Sequence, residues 1–237
     1  MKARKLALTY GVAALAYRSL PALAAINSIR RRAFRPLCGY GDPTHIALTF
    51  DDGPDPLSTP LVLRELDRLG VRATFFLLGS MVEVHPYLVG QIEQGGHEIG
   101  LHGQWHRNHL FRSSKTIHYD LERGLETLRQ HATTPITHFR PPYGVATQAT
   151  LHAARGLGLK VALWSTWGRD WRRAASPTSV YRDVLSALEG GGTILLHDAD
   201  CTSAPGSFNA TLGSLPMIAR LCEEHSWQLG PLREHGF

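Results

Sequence analysis

The chain has 237 residues, 43% of them hydrophobic, and a formal net charge of +5. That length fits one α/β domain with a full core and a short appendage. Residues 1–35 hold eight basic residues (Lys2, Arg4, Lys5, Arg18, Arg30, Arg31, Arg32, Arg35) and no acidic one, so the remainder is net −3, +5 less 8; a mildly acidic body argues against a nucleic-acid-binding fold, which spreads a basic patch over its surface.

The charge therefore belongs to a leader. Met1-Lys-Ala-Arg-Lys5 precedes Leu6–Ile29, mostly apolar but broken by Arg18 and Pro21. The 12 residues before Arg18 are too few to span a bilayer. They fit the apolar region of a signal peptide, with Ala-x-Ala-like sites at Ala14-Leu-Ala16 and Ala22-Leu-Ala24. They fit an interfacial anchor as well, so residues 6–29 are the segment expected to meet a membrane. The expectation is residues 1–35 as leader and 36–237 as a catalytic domain, secreted or anchored facing outward. Arg30-Arg31-Arg32 resists translocation, which keeps an inner-face association open. Three cysteines, Cys38, Cys201 and Cys222, form neither a disulfide framework nor a zinc cluster; Cys222 shares a helical face with Ile218 and Leu221.

From residue 45 the chain alternates strand-like and helix-like segments. His45–Phe50 reads as a buried strand running into Asp51-Asp52-Gly53-Pro54. Pro60 opens a helix, with Ser58 or Thr59 as N-cap and Gly70 ending it. Ala73–Leu78 is a strand. Ser80-Met-Val-Glu83 is a capping-box sequence that predicts a single helix through Val84, Leu88 and Ile92 to Gly95. His97–Leu101 is the third strand, and residues 114–131 are a helix. His138–Arg140 is a short strand, Thr147–Leu157 a helix, and Lys160–Ser165 the fifth strand. Thr178–Leu188 and Ala210–Glu224 are helices around a strand at Thr193–Leu196, and Trp227–Leu229 is a candidate closing strand. This order predicts an α/β fold, a distorted (β/α) barrel of about seven parallel strands with helices outside. No glycine-rich phosphate loop follows any strand, so no nucleotide cofactor is indicated.

The polar residues collect at the carboxyl ends of the strands, where such folds keep their chemistry. His102 and His106, four apart after the third strand, can chelate one metal ion, although H-x-x-x-H alone also describes a pair of surface or core histidines. With a strand-end carboxylate they make a two-His, one-Asp set that leaves coordination positions open, as a catalytic ion requires. Arg140 ends the fourth strand, where a buried cation needs a partner, and Asp170 is one candidate. Pro141-Pro142 stiffen the next turn and hold the N–H near Tyr143. His197 shares a strand face with Leu195, as a proton-transfer group beside an apolar slot or as an ordinary core histidine. Trp164, Trp167 and Trp171 serve equally as core or as an aromatic wall for a sugar.

Thr49-Phe-Asp-Asp-Gly-Pro54, His102-Gly-Gln-Trp-His106, Arg140-Pro-Pro-Tyr-Gly144, Asp170-Trp171 and Leu195-Leu-His197, in that order, resemble the polysaccharide deacetylases, the NodB-like carbohydrate esterases. The resemblance covers most of residues 45–200. It implies a distorted (β/α) barrel, one divalent metal ion (usually zinc, sometimes cobalt or another ion) and an acetylated glycan as substrate. It assigns Asp52, His102 and His106 to the metal and Asp51 as general base, oriented by Arg140. It assigns His197 as general acid tuned by Asp170. The Tyr143 N–H joins in stabilising the oxyanion, and Trp171 with Leu195 lines the acetyl slot. Two positions depart from the family pattern: Gly103 replaces a Ser or Thr, and Trp167 replaces an Asp three residues before Asp170. Two other readings keep the same residues: the site acts on another amide, such as a lipid-linked sugar or a small cyclic amide, or the chain binds glycan without turnover. Because Asp51 and Asp52 are adjacent and must both reach the site, a twist or bulge is expected there.

Overall fold

A computed structural model describes Ala13 and residues 16–237. The first residues of the leader, including Ala14-Leu-Ala16 in part, lie outside the described residues. Eight strands make one parallel sheet: β1 (His45–Asp51), β2 (Thr74–Leu77), β3 (Glu98–Leu101), β4 (His138–Phe139), β5 (Lys160–Val161), β6 (Thr166–Trp167), β7 (Thr193–His197) and β8 (Gln228–Gly230). Seven follow the order β5-β4-β3-β2-β1-β7-β6, a curled sheet left open between β5 and β6. Every residue of β1 is buried, as a central parallel strand with both faces covered must be. Phe50 and Phe75 stack across β1 and β2 with ring centroids 5.0 Å apart.

From residue 27 onward the α-helices are α1 (Asn27–Ala33), α2 (Thr59–Leu69), α3 (Gly79–Val84), α4 (Tyr87–Gln94), α5 (Ser114–Arg129), α6 (Gln148–Gly156), α7 (Pro177–Leu185) and α8 (Phe208–Glu224). Their apolar faces, Val62 and Leu66 on α2 or Ile117, Leu121, Leu125 and Leu128 on α5, enter one core with the sheet. Cys222 is in that core, and all three cysteines are free.

Four local expectations are corrected. The capping box at Ser80 does not form; Leu78 is the N-cap of α3, and the single helix predicted there breaks at His85-Pro86 into α3 and α4. Pro86 cannot continue the preceding hydrogen-bond ladder, which explains the break. Ser58 is the N-cap residue of α2, but its side chain caps no helix N–H; its hydroxyl donates to Asp55 Oδ1 at 2.9 Å, and that oxygen also accepts the Leu57 and Ser58 N–H groups ahead of the helix at 2.9 and 2.8 Å. The fifth strand stops at Val161 instead of Ser165. The carbonyls of Ala162, Leu163 and Trp164 accept guanidinium hydrogen bonds from Arg140 and Arg30 at 2.8–2.9 Å, so they are lost to the sheet. Finally, the C-terminal strand β8 does not close the barrel; it pairs with the lower part of β1, His45–Ala47, below the Thr49–Asp51 stretch that pairs with β2.

The open seam has its own filling. Ala24 packs with Leu163, Trp164 and Leu195, joined by Phe34 and Leu37. Arg30 is fully buried there. It donates to the carbonyls of Trp164 and Ala24 and to Asn27 Oδ1, each at 2.8 Å, and lies over the Trp164 ring at 4.3 Å. Burial lowers its pKa to about 10, which leaves it charged at neutral pH. With three acceptors and an aromatic face, the desolvated cation is satisfied. Residues 24–37 thus form part of the wall behind the strand-end cleft.

Candidate active site

The carboxyl ends of β1, β3, β6 and β7 open on a cavity of about 260 Å³, lined by Asp51, His102, His106, Tyr143, Trp171, Leu195, His197 and their neighbours. Asp51 and His197 are register partners across β1 and β7, so both enter the cavity from adjacent strand ends. No bulge precedes them: the β1–β7 register is regular through Asp51. The adjacent Asp52 is turned instead by its own backbone, at φ +78°. A non-glycine residue in the left-handed region is uncommon and costs on the order of 1–3 kcal/mol, so the surrounding structure must enforce it. The next residue has room for no side chain. A Cβ on Gly53 would lie 2.4 Å from the buried Asp198 carboxylate.

Asp52, His102 and His106 each offer one ligand atom, and these atoms lie within 4.8 Å of one another. His102 donates from Nδ1 to the Arg140 carbonyl at 2.8 Å, which fixes the tautomer and leaves Nε2 bare, 3.3 Å from Asp52 Oδ1. His106 Nε2 is 3.4 Å from the same oxygen. Asp52 Oδ1 is buried with no hydrogen-bond partner. A buried, ionised oxygen without a donor facing two imidazole nitrogens is the donor set of a three-ligand cation site, and it fits a divalent ion with open positions. The other Asp52 oxygen accepts from Thr202, a residue with no sequence motif to announce it.

Asp51 is held separately. Arg140, fully buried, donates to Asp51 Oδ1 and to Thr49 Oγ1 at 2.7 Å each, and its other nitrogens go to the Ala162 and Leu163 carbonyls. Phe76 lies under the guanidinium at 4.1 Å. Asp51 Oδ2 is left 3.8 Å from His102 Nε2, beside the ligand group but outside it. Arg140 therefore has Asp51 as its partner, not Asp170. Asp170 serves His197: its Oδ1 takes the imidazole Nδ1 at 2.8 Å, and its Oδ2 takes the His197 N–H at 2.7 Å and the Thr211 hydroxyl at 2.6 Å. With Nδ1 engaged, Nε2 is the atom His197 can turn to chemistry.

The charges follow this geometry. For Asp52, burial opposes ionisation, but the His102 imidazole 3.3 Å away, with the nearby His197 and His106, holds its pKa well below the usual carboxylate range. Burial likewise opposes charge on His197, and the Asp170 carboxylate, with smaller help from Asp52 and Asp51, overrides it and raises the pKa to about 10. His102 is raised too, burial being outweighed by Asp51 and Asp52. His106 is pushed down to about 4 by burial and by His102. Asp198 is pushed up to about 7, by burial and then by Asp52.

The rest of the cavity is apolar. Trp164 stacks on Trp167 (centroids 5.8 Å), Trp167 meets Trp171 at 5.2 Å, and Trp171 stands edge-on to His197 at 5.5 Å. Leu195, buried, also lines the cavity. Trp167, where the family carries an Asp, thus joins an aromatic wall. Tyr143 sits at φ +60° with its ring 4.3 Å from His106, and after two prolines it supplies the first amide hydrogen of its turn. Gly144 is needed there, since a Cβ would lie 2.7 Å from the Trp164 ring. At the other departure, Gly103 has φ +96°, and a Cβ would lie 2.7 Å from Asp120 Oδ2. The Asp120 carboxylate accepts the Gln104 N–H at 3.2 Å and so holds the His102–His106 loop from the side where a Ser or Thr would have reached.

Residues 39–162 match the polysaccharide deacetylase family model, and the chain belongs to that family. It is 39% identical over 158 residues to the peptidoglycan-N-acetylglucosamine deacetylase of Bacillus cereus, covering 65% of this chain and 72% of that one. It is 32% identical over 204 residues to the chitooligosaccharide deacetylase of a Bradyrhizobium species, covering 81% and 92%. Among solved structures, a family 4 carbohydrate esterase from Streptomyces lividans in complex with acetate superposes with TM-score 0.71 at 27% identity, over 79% of this chain and 92% of the other.

Proposed function

We propose that the chain is a metal-dependent hydrolase that removes N-acetyl groups from a glycan. One observation carries the reading: a free carboxylate, a three-ligand group and a carboxylate-paired imidazole surround one cavity with an aromatic and aliphatic wall. The relatives named as peptidoglycan and chitooligosaccharide deacetylases support the substrate class.

An acetamide carbonyl is a poor electrophile and its amine a poor leaving group, so the chemistry needs activation at three points. Asp52, His102 and His106 would hold a divalent ion, zinc being the one the family resemblance implies, and it would supply Lewis-acid polarisation of the acyl oxygen and a more acidic water. Asp51, pinned by Arg140 through one oxygen, takes the proton of the attacking water with the other. The Tyr143 N–H donates to the oxygen that gains charge. His197, kept protonated by Asp170, gives its Nε2 proton to the departing nitrogen. Trp171 and Leu195 border the slot for the acetyl methyl. We take residues 36–237 as the catalytic domain, completed by the end of the leader, and residues 1–35 as a segment that exports the chain or holds it at an outward membrane face. Among the described residues no helix is long and apolar enough to cross a membrane.

Acetate release from chito-oligomers, peptidoglycan, acetyl-xylan and a lipid-linked amino sugar, with and without chelator, tests the proposal. Release from an N-acetylated glycan that chelator abolishes supports it. Glycan binding with no release by metal-loaded protein from any of the four refutes it.

A further inference from the structure

We propose that the rim of this cavity is a docking face for an anionic lipid bilayer. Two segments distant in sequence build it. Arg18 donates to the Arg112 carbonyl, and the 3-10 turn Leu20–Ala25 lies against Pro142–Gly144. Residues 17–26 therefore stand beside the loop that follows β3 and beside the Tyr143 lip.

Both segments put large apolar side chains into solvent. Seven of the twelve exposed large apolar side chains among the described residues fall at 17–26, 110–111 and 143, led by Phe111 at 80% and Tyr17 at 68% exposure. Scattered exposed leucines are ordinary; a concentration on one rim marks an interaction surface. The presentation is built, not frayed. Asn108 caps the 3-10 turn His109–Phe111, accepting the Leu110 N–H at 2.9 Å. His109 turns inward, buried, with Nδ1 3.0 Å from Thr150 Oγ1, which leaves Leu110 and Phe111 facing out.

Charge selects the occupant. No acidic residue occurs in 16–41, 99–119 or 140–169, the stretches to which the rim segments belong, and Arg107, Arg112 and Lys115 are exposed after β3, with the buried Asp120 near the two arginines. A second copy of the chain would set these cations against one another with no exposed acid in the rim segments to offset them. A glycan is served by the aromatic wall inside the cavity, not by a projecting Phe-Leu turn. An anionic headgroup layer over acyl chains satisfies both features, taking the apolar side chains without shape complementarity and supplying the missing negative charge. The leader sequence before the rim, Lys2, Arg4 and Lys5 followed by a mainly apolar run, has the same two-part character. Docked this way, the mouth lies against sugars displayed at the bilayer surface. The inference concerns binding and holds whatever the reaction.

The test is co-sedimentation of the full chain with phosphatidylcholine vesicles, with and without one third phosphatidylglycerol, at low and high salt. The wild type should sediment with the anionic vesicles in a salt-sensitive way. Leu110→Ser/Phe111→Ser, which lies outside the leader and outside the cavity lining, should weaken binding by about tenfold through lost apolar burial. Arg112→Gln/Lys115→Gln should flatten the salt dependence. Both should melt and release acetate from soluble oligomers as the wild type does. Absence of sedimentation, or wild-type affinity in both double variants, overturns the proposal. So does an oligomer in light scattering that the Leu110→Ser/Phe111→Ser change dissolves while lipid binding persists.

Discussion

Asp51 and His197 are register partners on adjacent parallel strands, and each is fixed by a different buried partner, Arg140 for the carboxylate and Asp170 for the imidazole. The proposed base and the proposed acid are thereby placed by the most regular part of the fold. Asp52, one residue on, leaves the strand through a positive φ and joins the two histidines instead. Two neighbouring carboxylates acquire separate environments without a bulge in the sheet.

Metal loading should release protons near neutral pH. In the metal-free protein His102 has a raised pKa, while His106, at about 4, is already neutral. A ligand must give up its proton to bind a cation, so affinity should fall as pH drops. Calorimetry in buffers of different ionisation enthalpy measures the release. His102→Ala should lose both the ion and acetate release, by about 10-fold or more in affinity.

Asp170→Asn should move the titration of His197 back towards that of a free imidazole. With a folded pKa of about 10 against an unfolded 6.5, the protonated imidazole contributes stability that is fully present below pH 6.5 and is lost as pH rises through about 10. The variant should lose that contribution, so its melting temperature should vary less between neutral and alkaline pH. If His197 is the acid, the alkaline limb of its activity should also shift to lower pH. NMR titration of His197 checks the first effect directly.

Gly103→Ser, which restores the commoner family residue, should destabilise this chain by about 1–3 kcal/mol. The new Cβ meets Asp120 at a backbone φ of +96°. Removing the carboxylate in Gly103→Ser/Asp120→Ala should recover part of the loss. Denaturant unfolding of these two variants and of Asp120→Ala alone gives the coupling.

Arg30→Ala should cost about 3–5 kcal/mol, since it empties a buried site and strands three acceptors. Its effect should reach the cavity through Trp164, seen as changed tryptophan fluorescence, whereas Arg32→Ala, at an exposed position, should do neither.

The sequence made legible those parts of the fold and site that rest on periodicity and strand-end chemistry. The order of β and α elements, the parallel sheet with helices outside, and the strand-end residues Asp51, Asp52, His102, His106, Arg140 and His197 could be read from apolar runs that end in His, Asp or Arg. Contacts that depend on long-range placement could not. Thr202 reaches Asp52, Asp198 crowds Gly53, and Asp120 stands beside Gly103, yet none has a local pattern marking it. Arg30 looked like one cation in a basic run, and only the gap between β5 and β6 explains its burial. The capping sequence at Ser80 failed because Pro86 and the preceding loop set the helix limits, a local signal overruled by its neighbours.

The most direct test of the account compares wild type with Asp51→Asn, both loaded with zinc, for bound metal and for acetate release from an N-acetylated oligomer. Because Asp51 lies outside the ligand group, the variant should keep its metal while its rate falls by about 10²–10⁴. Loss of metal by the variant, or turnover at the wild-type rate, would contradict the separation of the two carboxylates on which the mechanism depends.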